Sequence, residues 1–384
     1  MNPTTHPAQS PAAHGTAQRD ALGERLFAGL LGGMELLSVE LGSKLGLYAV
    51  LRDAPATTAA ALAAQAGIDE RYAREWLEQQ AVAGVLEMAE ASDDPAERGY
   101  TLPAGHAEAL LDPESPGYAA AIPSGLLGLA KTLDAVAGAY RTGDGVAYER
   151  YGAEIRDCIG GFNRPMFAND LATEWLPALP DVHARLMRGE AVRVLDIACG
   201  TGWSAISLAR GYPNVSVTGI DLDTASIGQA RRNAAECGVA DRVHFEVRDA
   251  AETADSGGYQ LAMLFEALHD MGDPVGALRR VRSALAAGAP LLVADERVAD
   301  GFTAPGDEVE RFMYGWSVLH CLPATRATSP VVANGTVVAN GTVVANGTVL
   351  RATTVRQWAG EAGFSRVEEL PIANDFWRFY RLAA

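Results

Sequence analysis

The chain has 384 residues, 48% of them hydrophobic, which is enough for a sizeable core and for two or three domains. Its 31 basic and 48 acidic side chains leave a formal net charge of −17. Such a surface repels phosphate backbones and anionic lipid, so nucleic acid and membranes are poor partners and a cationic small molecule is a better one. The four cysteines, Cys158, Cys199, Cys237 and Cys321, form no CxxC pair. No metal site or disulfide framework is therefore expected, and a reducing cytoplasm fits.

Residues 1–20 are rich in Pro, Ala, Thr and His and lack the basic and apolar segments of a signal peptide, so a disordered leader is expected. No run of 18 apolar residues occurs, so no membrane span is expected. Residues 21–102 read as a small helical domain with a hairpin. Leu30–Leu51 is apolar at helical spacing, with breaks at Gly42 and Gly46. Thr57 or Thr58 can cap the helix Ala59–Ala66, and Asp69 can cap Glu70–Ala83. Val85–Met88 and Tyr100–Leu102 then flank a polar loop, completing a winged-helix pattern. Residues 21–100 hold six basic and thirteen acidic side chains, the opposite of what a DNA reader needs; dimerisation and lid support are the alternative roles.

Residues 103–160 read as a helical connector, and 161–384 as the catalytic domain. From Val192 onward strands and helices alternate. Strands are expected at Val192–Ile197, Val215–Ile220, Val243–Val247, Leu261–Phe265 and Pro290–Ala294. This predicts a parallel, Rossmann-like α/β sheet covered by helices on both faces. Within it, residues 331–348 are three copies of Val-Val-Ala-Asn-Gly-Thr, read as duplication inside a tolerant surface loop whose Asn-Gly pairs favour hairpin turns.

The strongest chemical signal is Val194-Leu195-Asp196-Ile197-Ala198-Cys199-Gly200-Thr201-Gly202, a strand ending in an acid, a tight Gly-X-Gly turn and a helix. Such a turn lets a ligand approach bare backbone. The same loop could serve a dinucleotide, but Asp196 would repel a pyrophosphate and attract an ammonium and a sulfonium. Trp203 follows directly, and Asp249, after the third strand, can accept from an adenine amino group. Asp221, about twenty residues beyond the loop, can take both ribose hydroxyls; its alternative is a helix cap. These features favour S-adenosylmethionine (SAM), with S-adenosylhomocysteine (SAH) as its demethylated product.

Residues 192–300 resemble a class I SAM-dependent methyltransferase. The match rests on the acid-glycine loop, Asp221, Arg248-Asp249-Ala250 and Phe265-Glu266-Ala267-Leu268-His269-Asp270. With the winged-helix region, nearly the whole chain resembles two-domain O-methyltransferases of bacteria and plants that act on small molecules as homodimers. The resemblance implies a cofactor site built from Asp196, Ala198, Cys199, Gly200, Thr201 and Gly202 around the turn. Asp221, Leu222, Asp249, Ala250 and Phe265 would hold the nucleoside. Ala198 departs from the glycine usual in the family, and the triple hexapeptide departs from its shorter loop.

The resemblance makes His269, paired with Asp270, the general base toward a hydroxyl acceptor; capping the next helix is the alternative. Phe312, Tyr314, Trp316, His320 and Trp377 are the expected wall for a planar acceptor, with His320 the second candidate base and core packing the alternative. Two other functions remain open: a SAM-binding enzyme that does not methylate, and a SAM-sensing transcription regulator.

Overall fold

The computed structural model describes residues 11–252, 258–328, 338–339, 342–343 and 349–383. These form two compact units, Met1–Asp112 and Pro113–Ala384.

The first unit opens with α1 (Pro11–Lys44), so the segment read as a leader is helical from Pro11, and residues 1–10 lie outside the described residues. The helix runs through Gly42 and ends before Gly46, whose φ of +68° breaks it; α2 (Leu47–Leu51) follows. Next come α3 (Ala59–Ala66), capped by Thr58, and α4 (Glu70–Val82), capped by Asp69. β1 (Glu87–Glu90) and β2 (Gly99–Thr101) pair antiparallel as the wing. The unit closes with α5 (Ala104–Leu111), whose Ala107 is buried in the same core as Leu47, Leu62, Leu77 and Tyr100. The division at Asp112 therefore falls ten residues beyond the expected end of this domain at 102, because α5 buries its apolar face here.

By length and composition, the stretch Gly15–Lys44 of α1 could cross a membrane, although charged residues interrupt every long apolar run in it. Leu22, Leu26, Leu30, Met34, Leu37 and Leu41 recur every three or four residues on it, and each is more than 45% exposed. The unit thus carries an apolar helical seam with no partner in its own core.

The second unit contains both the expected connector and the catalytic domain. α6 (Ile122–Thr142) packs on α7 (Gly152–Asn169), and α8 (Pro180–Met187) leads into the sheet. Residues 113–160 are thus part of this unit rather than a spacer. Four strands and three helices then alternate: β3 (Val192–Ile197), α9 (Trp203–Gly211), β4 (Val215–Asp221), α10 (Thr224–Glu236), β5 (Val243–Val247), β6 (Leu261–Phe265) and α11 (Pro274–Ala284). β7 (Pro290–Glu296), α12 (Glu308–Trp316) and α13 (Leu322–Thr328) follow. β8 (Val338–Ala339) pairs antiparallel with β9 (Thr342–Val343) across the sequence Asn340-Gly341; the rest of the repeats lie outside the described residues. The unit ends with α14 (Ala352–Glu361), β10 (Arg366–Glu369) and β11 (Trp377–Ala383).

The seven-stranded sheet has the order β10-β11-β7-β6-β3-β4-β5, parallel from β7 to β5, with β11 antiparallel between β7 and β10. The central strands β6 and β7 are buried throughout because both faces are covered there, whereas β3, β4 and β5 each expose a polar position. From β3 the chain winds outward to β4 and then returns to β6 on the other side. That reversal opens a crevice at the carboxyl ends of β3 and β6, where open α/β sheets bind ligands.

Candidate active site

The crevice holds a cavity of about 690 Å³, within the usual range of small-molecule sites of about 300–1,000 Å³. Its floor is the turn after β3. Ala198, Cys199, Gly200 and Thr201 border it, as do Asp196, Asp221, Leu222, Asp249, Ala250 and Phe265. The two loop glycines have different duties. At Gly200, φ is +50° and nothing lies within 4 Å of where a Cβ would stand, so the backbone faces open space. At Gly202, φ is +85° and a Cβ would come 2.5 Å from the Phe245 ring. Gly202 does not border the cavity; it lets α9 seat against β5.

Ala198 stands at φ +52°, the left-handed region where a side chain costs about 1–2 kcal/mol. The two positions predict opposite signs. Ala198→Gly should stabilise the protein by about 0.5 kcal/mol after the flexibility gained by the unfolded chain is subtracted. Gly202→Ala should destabilise it by about 2–4 kcal/mol through overpacking and backbone strain. Thermal unfolding of both variants checks this, and equal shifts would refute the assignment.

Asp221 anchors the loop. Its Oδ2 accepts from Gly200 N at 2.8 Å and its Oδ1 from Asp223 N at 2.8 Å, while burial raises its pKa. A carboxylate has about four acceptor sites, so both oxygens keep capacity for hydroxyls. Asp249 Oδ1 similarly accepts from Ala251 N at 2.8 Å. Asp196 is 1% exposed, accepts from Ser204 Oγ at 2.5 Å, and is pushed up to about 7 by burial.

A cationic ligand beside Asp196 favours its ionised form, so binding below about pH 7 must release a proton. Above that pH the carboxylate is already charged and no proton is released. Affinity for SAM should thus fall by up to about tenfold per pH unit below pH 7, which calorimetry in buffers of different ionisation enthalpy would reveal. A flat affinity between pH 5.5 and 8, expressed as roughly constant binding, would show that Asp196 does not meet the cation.

Another wall comes from the end of the segment read as a connector, residues 103–160, and from the helix residues just after it. Tyr148, Arg156, Ile159, Gly160, Asn163 and Phe167, on α7 and the turn before it, border the cavity. Gly160 lets α7 approach the turn closely: a Cβ there would stand 2.5 Å from Thr201 Oγ1, which would have to rotate away. Arg156 Nη1 lies 3.6 Å from Asp223 Oδ2. Sequence reading assigned none of these residues, since a helix without a motif looks like any other amphipathic helix.

The carboxyl ends of β6 and β7 gather a dense polar group. His269 is 3% exposed; its Nδ1 donates to Asp295 Oδ1 at 2.8 Å, and its Nε2 lies 3.4 Å from Asp270 Oδ1. Asp295 also accepts from Leu268 N at 3.1 Å and Glu296 N at 2.9 Å. Burial lowers the His269 pKa, but Asp270, Asp295 and Glu296 outweigh it and hold the ring well above its ordinary value. Burial drives Glu266 well up and Glu296 up to about 7. His269 is not among the residues bordering the cavity, although Glu266, Ala267 and Asp270 are. Asp295 at Nδ1 orients the ring as in a histidine base, but the ring itself does not border the cavity.

His320 occupies the opposite situation. It borders the cavity and is 2% exposed, and its Nε2 has no hydrogen-bond partner among the described residues. Burial holds its pKa below the ordinary value, so the ring is neutral at pH 7. It sits in a wide turn, Ser317–Cys321, where Leu322 N donates to Ser317 O. Such one-turn widenings inside helices recur at functional sites. The rings of Tyr151, Tyr148 and Trp316 surround it edge-on at 4.6, 5.6 and 5.7 Å.

The other expected acceptor-wall residues stand elsewhere. Phe312, Tyr314, Trp316 and Trp377 do not border the cavity. Trp377 is 2% exposed and packs on Trp175, Phe167 and Phe265, because its place on β11 turns it into the core. Tyr314 accepts from Arg351 Nη2 at 3.0 Å. Phe312 joins Phe162 and Phe376 in an aromatic group that also reaches Trp316, which packs against Ile155 and Tyr151.

Comparison with known proteins agrees with the fold. Residues 189–323 match the family described as a methyltransferase domain, and residues 32–111 match the Rv2258c-like winged HTH domain. The chain is 28% identical over 164 residues to an O-methyltransferase of Aspergillus sclerotiorum, covering 39% of this chain and 60% of that one. It is 27% identical over 190 residues to an O-methyltransferase of Pyrenophora dematioidea, covering 47% and 68%. An uncharacterised Synechococcus protein is 34% identical over 97 residues, 25% of this chain and 23% of that one. Among solved structures, a putative O-methyltransferase from Nostoc punctiforme superposes with a TM-score of 0.65 at 20% identity, over 98% of this chain and 100% of that one. An O-methyltransferase family protein from Burkholderia thailandensis gives 0.62 at 16% identity, over 98% of each. At these identities the structural likenesses establish the fold. The sheet order and the family matches lead to one conclusion: the chain joins a Rossmann-like methyltransferase domain over residues 189–323 to an N-terminal Rv2258c-like winged helix-turn-helix domain over residues 32–111.

Proposed function

We propose that this protein transfers a methyl group from SAM to a hydroxyl of a small, planar metabolite in the cytoplasm. The observation that carries the reading is the cavity itself: an open-backbone turn at Gly200, with Asp196, Asp221, Asp249 and His320 also on its border. Asp221 would hold the ribose hydroxyls, Asp249 the adenine amino group, and Asp196 the cationic end. Leu222, Ala250 and Phe265 supply apolar surface for the nucleoside. When bound, SAM supplies a methyl carbon made electrophilic by its sulfonium. His320 would take the acceptor's proton as the oxygen attacks, and Tyr148 and Ile159 exclude water from the same volume.

Solved O-methyltransferases of this fold support the acceptor class; one, from neocarzinostatin biosynthesis, holds SAH and 1,4-dihydroxy-2-naphthoic acid. Incubating the purified protein with SAM and a panel of hydroxylated aromatic compounds should yield SAH together with a product heavier by one methylene. SAH-free turnover of SAM would favour the non-methylating alternative. DNA binding at physiological salt would favour the regulator.

The exposed seam of α1 supports a homodimer, a second copy covering leucines that one unit leaves bare. Sedimentation should give twice the chain mass, and the pair Leu30→Glu and Met34→Glu should give the monomer. A wild-type monomer at micromolar concentration would refute the dimer.

A further inference from the structure

We propose that Asn163 and Trp203 receive the α-carboxylate of the cofactor, and that Arg164 holds the indole in place for this role. The site rests on the SAM reading: Asp221, Asp249 and Asp196 suit the ribose, the adenine and the ammonium, and all three would repel a carboxylate.

Most of the cavity border is hostile to an anion. Eight acidic side chains line it against two arginines, and both arginines already face acids. Arg156 Nη1 lies 3.6 Å from Asp223 Oδ2, and Arg248 pairs with Glu246. The exception is the corner where α7 meets the first turn of α9. The residues of α7 that border the cavity include no acid. Asn163 and Trp203 both border the cavity, and neither side chain has a hydrogen-bond partner among the described residues. An indole N–H can only donate, and an amide nitrogen carries two donors, so the pair suits a group that only accepts.

The corner also lies where a carboxylate must be. The ammonium and the carboxylate of the cofactor branch from one carbon, so their receptors have to adjoin. Asp196 accepts from Ser204 Oγ at 2.5 Å and from the Ala205 backbone N–H, which sets its carboxyl against the turn of α9 that Trp203 opens. Asn163 comes from the other side. One turn before it, a Cβ on Gly160 would stand 2.5 Å from Thr201 Oγ1; one turn after it, Phe167 packs on Phe265 with ring centroids 5.3 Å apart. Asn163 shares their helical face and so lies over the space between the glycine turn and the end of β6.

Arg164 acts through the ring, since it does not itself border the cavity. Its guanidinium lies 3.7 Å from the centre of the Trp203 ring. Its Nη2 donates to Glu114 Oε1 at 2.9 Å, and Glu114 is held in turn by Arg210 Nη1 at 2.8 Å and by Asn169 Nδ2 on its carbonyl at 2.7 Å. The stack fixes the indole and places a positive charge beside the corner that the anion would occupy.

The test is calorimetry on the full-length protein with three ligands: SAH, its decarboxylated analogue, which keeps the ammonium, and methylthioadenosine, which lacks the whole amino-acid end. Wild type should bind SAH about 10²-fold or more tighter than the decarboxylated analogue, the effect of two hydrogen bonds to a charged group. Trp203→Phe, which keeps a ring under Arg164 but removes the N–H, should weaken SAH about tenfold. Asn163→Asp, nearly isosteric, sets an anion against the carboxylate and should weaken SAH about 10²-fold. Arg164→Gln should weaken it about threefold. All three variants should bind the decarboxylated analogue and methylthioadenosine within about twofold of wild type. Equal losses for SAH and the decarboxylated analogue in Trp203→Phe and Asn163→Asp, as a disturbed fold would give, overturn the carboxylate site and leave the cofactor reading intact. Wild-type affinities for those two ligands within about threefold of each other do the same. Failure of wild type to bind any of the three overturns the cofactor reading and this site with it.

Discussion

Asp221→Ala is expected to weaken SAM and SAH binding by about 10²- to 10⁴-fold, the loss of two charge-assisted hydrogen bonds worth about 1.5–3 kcal/mol each. The carboxylate acts on both sides of the site. Toward the ligand it offers acceptors to the ribose hydroxyls; toward the protein it takes the amide of Gly200 at 2.8 Å and so fixes the turn on which the ligand lies. Alanine removes both and leaves the Gly200 amide without its acceptor. Asp221→Asn retains one oxygen for Gly200 but loses the charge, so it should fall between, at about tenfold. Calorimetric titration with SAH measures both, with thermal unfolding as a check that the fold persists. Binding within threefold of wild type in Asp221→Ala, a difference of only about 0.7 kcal/mol, would remove Asp221 from the cofactor site.

Much of this half of the site was legible in the sequence because it is local. β3, β5 and β6 begin and end where the apolar runs do, α9 starts at Trp203 after the glycine turn, and Asp221 follows at the tip of the next strand. In a doubly wound sheet the carboxyl ends of β3 and β4 are neighbours by construction, so a motif read along the chain is also a motif in space. The acceptor side is built differently. Asp295 reaches His269 from 26 residues away through the pairing of β6 with β7, and no spacing rule announces it. His320 and Cys321 reach the site through a widened turn whose presence depends on packing. Phe312 and Trp316 share one helical face, but periodicity cannot say whether that face meets a cavity or another aromatic group. Trp377 reads equally well as wall or core until β11 is seen lying between β7 and β10.

That asymmetry gives the choice between the two histidines its weight. His320→Ala should lower kcat by about 10²- to 10⁴-fold, the usual contribution of a positioned base, while SAH affinity stays within about threefold. The split is expected because His320 is assigned to the acceptor's proton and not to the nucleoside, whose proposed contacts are Asp221, Asp249 and Phe265. His320→Gln tests the same point with less disturbance, since an amide refills part of the space among Tyr148, Tyr151 and Trp316 yet accepts no proton at neutral pH. If the ring only packed against those aromatics, glutamine would restore much of the activity; if it takes the acceptor's proton, glutamine would be nearly as slow as alanine. Full activity in both variants would return the base role to His269. That ring would then act with its Nδ1 held by Asp295 and its Nε2 beside Asp270.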